Sequence, residues 1–552
     1  MLREKLISLL TEATEKAQKA GKLPVVALPD VTIERPQNPE HGDYASNLPL
    51  RLTRVMGTNP MVIARELVAH LIQSDEIEKT VAAPPGFINF TLKDKWLASQ
   101  VNEILECGGT YGNKDTGKGA KVQVEFVSVN PTGPLHVGHG RGAVLGSTLA
   151  NVLAASGYRL EKEYYFNDAG SQVDAFKRSL YVRYLQRLGV EKELPANGYH
   201  GFYMVDLANE IIASHGDRFK DMPEDEAIAK VGELGLKHVM DGIKEGLKEL
   251  RVEYDVWFSE QSLYRNGQYK KVLELLRKNG YIAEKEGATW FASTVLGEDK
   301  DNVVIRSDGS PTYFAADIAY HYNKFVERGF DKVINIWGAD HQGHVSRLKA
   351  VVGALGIDPA RLTIIIHQMI TLKRGGELVR VSKRTGDIIT LQEVMDEVGV
   401  DACRYFFLAR SANSQMDFDL ELARKQSQDN PVYYIQYAHA RIASIMRLAQ
   451  ERQISFDDGD VSLLTSPPEL TLVRRLLQLP ETIEAVTVTL EPHHLAYYAQ
   501  DLATVFHIFY RDCRVVSGDI AITKARLKLV KAAQIALVKV LNLMSMTAPD
   551  KM

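Results

Sequence analysis

The chain has 552 residues, of which 45% are hydrophobic and 25% charged, an ordinary composition for a globular protein and too apolar for a disordered one. That length suggests roughly three or four domains and ample core, with no need of disulfide staples. The formal net charge is −4, from 66 Lys and Arg against 70 Asp and Glu, so a nucleic-acid partner has to be met by a local basic patch rather than by the chain as a whole.

The opening stretch places Leu2, Leu6, Leu9, Leu10 and Ala13 at helical spacing. Glu4, Glu12 and Glu15 interrupt it, so it reads neither as a secretory signal nor as an acid-poor transit peptide. No run approaches 18 apolar residues, so no membrane span is expected. Cys107, Cys403 and Cys513 stand far apart. No two share a CxxC-type spacing, which argues against a thiolate zinc site, and an odd count without a secretory signal fits a reducing compartment, so the cytoplasm is the expected location.

Strand-like PVVALP and VTIER follow, then a helix over about 59–73, a Pro84-Pro85-Gly86 turn and the alternating run FINFTL. Residues 1–110 therefore read as a small α/β domain, closed by the Gly-rich linker CGGTYGNKDTGKG. The pattern changes at Lys121. VQVEFVSV is a buried strand, NPTGPLHVGHGRG a Gly/Pro loop, AVLGSTLANVLAASG a helix and RLEKEYYFND a second strand. Strand, Gly-rich loop, helix and strand open a nucleotide-binding α/β fold, here spanning 111–420. Within it, about 172–290 reads as a mainly helical insertion, after which NVVIRS, VINIWGAD and TIIIHQM resume the sheet. From 421 to 552 periodic helices dominate.

Two loops carry charge chemistry. His136 and His139 lie three residues apart at a helix start, where the free N–H groups of the first turn attract an anion. Gly138 lets a base or phosphate approach closely. A metal pair completed by Asp168, or two surface histidines, are open alternatives. Some 240 residues on, Arg374-Gly375-Gly376 precedes Arg380-Val381-Ser382-Lys383-Arg384-Thr385-Gly386. A Ser-Lys-Arg core between glycines can close on a polyphosphate as charge moves to a leaving pyrophosphate, or be a solvated basic turn.

HxGH after the first strand, with a Ser-Lys pair after a late strand of the same sheet, resembles the class I aminoacyl-tRNA synthetases. One family within it, arginyl-tRNA synthetase, is similar over nearly the whole chain. The segments that carry the resemblance are EFVSVNPTGPLHVGHGRGAVLG, EYYFNDAG, VWFSE, TYFAADIAYH, WGADHQGHVSRLKA, VSKRTGD, NPVYYIQYAHARI, FHIFYRDCRV and TAPDKM, with HGDYASN and PPGFINF before them. The resemblance implies a Rossmann-like catalytic domain with its insertion, a small α/β amino-terminal domain touching the tRNA elbow, and an all-α carboxy-terminal domain for the anticodon. It implies ATP-dependent activation of L-arginine and its transfer to tRNA(Arg). Mg²⁺ accompanies the ATP, no protein-bound zinc is expected, and the enzyme is expected as a monomer.

By the same resemblance His136, Gly138 and His139 hold ATP, with Arg380, Ser382, Lys383 and Arg384 as the second motif. Arg380-Val381 stands where the family pattern often has Lys-Met, and Lys383 occupies the second lysine position. Glu125 and Asn130, with His139, hold the arginine α-amino and carboxylate groups. Tyr313 and Asp317 face the guanidinium, with His341 or Gln342 as a further contact. In 421–552 there are 15 Lys and Arg against 14 Asp and Glu, which permits RNA binding without showing it. Tyr433, Tyr434, Tyr437, His439 and Arg441 interleave aromatic and cationic groups suited to stacking on unpaired bases, although an aromatic stripe also serves a core. The family further implies that arginine activation waits for tRNA. The competing readings are the cysteinyl enzyme, a small-molecule nucleotidyltransferase and a catalytically silent tRNA-binding relative.

Overall fold

A computed structural model describes residues 2–168, 170–379 and 389–552. One compact unit joins the residues up to Gly108 with Ile445–Leu477 and Val505–Ala533; the other comprises Gly109–Ser444, Gln478–Thr504 and Gln534–Met552.

In the first unit α1 (Leu2–Lys19) buries Leu6, Leu9, Leu10 and Ala13, the face its spacing predicts. β1 (Tyr44–Ser46), α2 (Leu48–Met56), α3 (Pro60–His70), β2 (Ile77–Ala83), β3 (Phe87–Leu92) and α4 (Asp94–Cys107) follow. The Asn59 side chain caps α3 by accepting from Met61 N, and Pro60 fills the first turn where no N–H is needed. The strands form an antiparallel sheet ordered β1-β3-β2, with Ile88, Phe90 and Leu92 of FINFTL turned inward. PVVALP and VTIER do not form strands; only Glu34 pairs, with Ala45. Pro24 and Pro29 lack donors for a ladder, and Val25 is 82% exposed.

The second unit is built on β4 (Lys121–Phe126), α5 (Val137–Ala155) and β5 (Arg159–Phe166). Then come α6 (Ser171–Arg187), α7 (Tyr203–His215), α8 (Glu224–Glu249), β6 (Val256–Ser259), α9 (Glu260–Arg265) and α10 (Gln268–Lys278). β7 (Ile282–Lys285), β8 (Ala288–Phe291), β9 (Asn302–Ile305), α11 (Tyr313–Tyr322), β10 (Lys332–Gly338), α12 (Val345–Ala354), β11 (Leu362–His367), β12 (Ile370–Arg374) and β13 (Glu377–Leu378) complete the catalytic half up to the second motif.

The main sheet is parallel and ordered β11-β10-β4-β5-β6. Successive crossovers run from β4 to one side and from β10 to the other, so the order reverses between β4 and β10. That crevice, at the strands' carboxyl ends, is where open α/β sheets bind ligands. α5 lies hard on the sheet because Gly146 has no side chain: a Cβ there would come 2.2 Å from the Phe126 ring. The 172–290 segment is mainly helical, as expected, but VWFS within it forms β6, the edge strand of the main sheet. One expectation is corrected. NVVIRS does not rejoin that sheet; it forms β9 of a separate antiparallel sheet, β7-β8-β9. Four-residue strands carry too short a pattern to be assigned by periodicity.

After the second motif come α13 (Leu391–Val398), α14 (Val400–Leu408), β14 (Met416–Asp419) and α15 (Leu420–Arg424). Long helices α16 (Pro431–Glu451), α17 (Pro467–Leu476), α18 (Leu479–Thr489), α19 (His493–Asp512) and α20 (Ile520–Leu543) close the chain. Among the described residues no helix is long and apolar enough to cross a membrane.

Candidate active site

The backbone turns sharply after β4: Val127 and Ser128 take φ of 69° and 46°. Non-glycine residues held there cost on the order of 1–3 kcal/mol each and gather at functional sites. The chain then reaches α5, whose amino end is capped by its own histidines. His136 Nδ1 accepts from Gly138 N at 3.1 Å, and His139 Nδ1 accepts from His136 N at 3.2 Å. The two rings stack with centroids 3.4 Å apart. Burial pushes His136 down from its ordinary value, and burial with the neighbouring His136 and His367 pushes His139 down to about 3. Both are therefore neutral near pH 7. With Nδ1 accepting, the ring proton sits on Nε2. Two N–H donors at a helix amino end suit phosphate oxygens and cannot ligate a metal through the same nitrogens. Among the described residues Asp168 does not converge with the two histidines as a metal-ligand cluster; its carboxylate accepts from Ser259 Oγ at 2.6 Å and Gln261 N at 3.0 Å.

The flank that follows the second motif is fixed on this site, and the flank that precedes it is held by β12. Val379 N donates to Leu372 O, and Leu391 N donates to Leu135 O. Thr390 pairs with His136 in an isolated bridge and caps α13. Arg380, Ser382, Lys383 and Arg384 themselves lie outside the described residues. Arg374 is not a free cation: its guanidinium forks onto Glu397 of α13 at 2.5 and 2.8 Å. Sequence reasoning missed Arg141, which is wholly buried in α5 and donates to the carbonyls of Gln368, Ser411 and Ser414. It fixes the turn from β11 to β12 against the HxGH helix. A charge inside the otherwise apolar GRGAVLG was its only signal.

A group of acidic side chains lies at the carboxyl edge of the same sheet. Glu125 is on β4, a central strand, and is 4% exposed. Asp317 is half-buried on α11, with Tyr313 one turn earlier. Burial, then the charges of Glu260 and Glu125, push Asp317 up to about 7 against the opposing pull of Arg347 and Lys324. Glu260 begins α9 and is 5% exposed; burial also raises it. Its oxygens accept from Tyr165 at 2.7 Å and Tyr264 at 3.4 Å. Glu260 ends the VWFSE segment and is not among the residues the sequence points to. A carboxylate closing an apolar strand was the available signal.

Tyr313 is 47% exposed, its hydroxyl 3.6 Å from where a Gly170 Cβ would stand. Asn130 Nδ2 donates to Gln172 Oε1 at 2.5 Å. His341 and Gln342 are exposed in the short helical turn after β10, at the crevice. The structure thus brings His136, His139, Glu125, Asp317 and the β10 loop to the carboxyl edge of one sheet.

On α16, Tyr433 and Tyr437 stack with centroids 6.1 Å apart, and the Arg441 guanidinium lies 4.6 Å from the Tyr437 ring centre. Tyr433, Tyr434 and Tyr437 are half-buried. His439 is buried, and its Nδ1 meets Pro549 O at 3.0 Å.

The family profile described as tRNA synthetases class I (R), catalytic domain, matches residues 100–418. The Arginyl tRNA synthetase N terminal domain matches 4–92 and the DALR anticodon binding domain matches 435–552. An arginine–tRNA ligase of Dehalococcoides mccartyi is 59% identical over 99% of this chain and 98% of its own. One of Carboxydothermus hydrogenoformans is 50% identical over 97% of each. The solved Thermus thermophilus arginyl-tRNA synthetase aligns over the full length of both chains with a TM-score of 0.78 at 22% identity, a likeness of fold.

Proposed function

The chain belongs to the arginyl-tRNA synthetase family and attaches L-arginine to tRNA in an ATP-dependent reaction; from that premise we propose which of its residues do the work. Glu260 and Asp317 hold the guanidinium. A planar cation pairs best with carboxylates that can each accept two N–H groups, and Tyr165 and Tyr264 orient Glu260 for it. Tyr313 lies along the ligand, while Glu125 and Asn130 take the α-amino and carboxylate ends. His341 and Gln342, at the mouth, are further contacts.

The arginine carboxylate attacks the α-phosphorus of ATP, the bond to the β-phosphate oxygen breaks, and pyrophosphate leaves as arginyl-adenylate forms. His136 and His139 donate from Nε2 to the phosphates, with Gly138 giving the nucleotide room. Arg380, Ser382, Lys383 and Arg384 close over the departing pyrophosphate, where charge grows in the transition state. Supporting this, the downstream flank of that segment is tied to the HxGH turn, through Leu391 N to Leu135 O and the Thr390–His136 bridge. Mg²⁺ arrives with the ATP phosphates, and no chain residue is assigned to it. The terminal tRNA hydroxyl then takes the arginyl group and AMP leaves.

Residues 1–110 meet the tRNA elbow and 421–552 the anticodon, with Tyr433, Tyr434, Tyr437 and Arg441 as stacking groups. The closed shell around His439 makes it a support of α16 instead. A monomer in the cytoplasm completes the reading.

One observation carries it: two carboxylates, buried Glu260 and half-buried Asp317, lie close enough for the charge of one to raise the other. ATP–pyrophosphate exchange with each amino acid, with and without tRNA, is the test. Exchange is expected with arginine, not citrulline, and only when tRNA is present. Equal exchange with citrulline would remove the carboxylate clamp, and strong exchange without tRNA would remove the coupling alone.

A further inference from the structure

Lys324 has no exposed surface. It sits in a single π-helical turn, Asn323–Glu327, that continues α11. Its ammonium donates to Glu125 Oε2 at 2.5 Å and Asn335 Oδ1 at 3.1 Å, and it lies 4.1 Å from the centre of the Tyr320 ring. The Asn335 amide meets His321 Nε2 at 2.9 Å, and His321 Nδ1 meets the Asp317 carbonyl at 2.8 Å. The chain of contacts therefore runs from Glu125 through Lys324, Asn335 and His321 back to the backbone of Asp317.

The sheet register explains the arrangement. Glu125 on β4 pairs with Asn335 on β10 and with Glu163 on β5, so three polar side chains form one row across the sheet. Glu163 has other partners, Tyr320, Gln123 and Arg328. Lys324 takes up one oxygen of Glu125. A buried ion pair is weak evidence of stability, since apolar residues of the same volume serve a core as well or better. Here it fixes the direction of a carboxylate at the edge of the amino-acid pocket and leaves Oε1 for another partner.

We propose that Lys324 is a positioning residue for recognition of the arginine α-amino group: it orients Glu125 so that the second carboxylate oxygen accepts the α-ammonium. This rests on the reading that Glu125 binds that group. Lys324 lies seven residues after Asp317, two helical turns on, so the guanidinium and α-amino contacts are carried by one continuous stretch of helix.

The test compares L-arginine with δ-guanidinovalerate, the same molecule without its α-amino group, as competitors for the amino-acid site. The wild type is expected to prefer arginine strongly. Lys324→Met should lose about tenfold to a hundredfold of that preference, the scale of one charged hydrogen bond. Its preference for arginine over citrulline should hold, which a general collapse of the pocket would not allow. Lys324→Arg should restore part of the loss.

Glu125→Gln should lose the same preference; if it does not, Glu125 is not the α-amino ligand and the underlying reading fails. If Glu125→Gln loses it and Lys324→Met keeps it, the role of Lys324 is overturned. Because either single change leaves one charge buried alone, the neutral pair Glu125→Gln with Lys324→Met serves as the well-folded check. It should discriminate no worse than Glu125→Gln by itself, whereas losses that multiply would overturn the proposal.

Discussion

Glu260 and Asp317 lie close together, and after burial the charge on Glu260 is the chief influence holding the Asp317 carboxyl up at about 7. A guanidinium between them favours the ionised form. Arginine binding below and around neutrality must therefore release a proton. Affinity should rise with pH up to about 7 and level off above it. Calorimetry of arginine binding in buffers of different ionisation enthalpy checks this, and Asp317→Asn should flatten the pH dependence. The empty pocket carries the opposite sign for folding. A carboxyl raised in the folded state makes the protein less stable as pH climbs from about 4 towards 7.

Glu260→Gln should raise the arginine KM. Tyr165 and Tyr264 hold the side chain in place, so the change removes charge and spares the packing. Truncating one partner of a desolvated ion pair costs on the order of 2–5 kcal/mol. Steady-state aminoacylation at varied arginine measures it. An unchanged KM would leave Asp317 as the sole acid at the guanidinium.

The histidines should separate stability from rate. His139→Ala removes the acceptor for His136 N and should cost about 1 kcal/mol of stability, the usual worth of a cap. Losing its Nε2 donor should slow adenylate formation by roughly 10²–10³. Because burial pushes His139 down to about 3, its own titration should not appear in the rate profile around neutrality. Thermal unfolding and single-turnover kinetics read the two effects apart.

Lys383→Ala should slow arginyl-adenylate formation by roughly 10²–10³ and leave arginine binding nearly intact, since its charge meets one that develops only in the transition state. Rapid-quench kinetics with tRNA present give the rate. A near wild-type rate would move the role to Arg380 or Arg384.

Much of this was legible in the sequence because long-period signals survive without a structure. The HxGH turn after an apolar strand, α1 from its leucine spacing and the helical carboxyl end all follow from local pattern. What was not legible depends on partners distant in sequence. Arg141 matters because Gln368, Ser411 and Ser414 turn their carbonyls to it, and no local pattern encodes that. Glu260 stands at the end of a four-residue strand, too short to show its register. Glu125 could have been a surface carboxylate until β4 proved central and Lys324, 199 residues away, proved its partner.

The most direct test of the account is the ratio of kcat/KM for arginine to that for citrulline, measured in wild type and Asp317→Asn with tRNA present. Citrulline keeps the shape of arginine and lacks its charge. If Asp317 holds the guanidinium, the variant should lose most of the wild-type preference, with the loss falling on arginine rather than appearing as a gain for citrulline. A variant that still prefers arginine by the wild-type factor would contradict the assignment of this pocket.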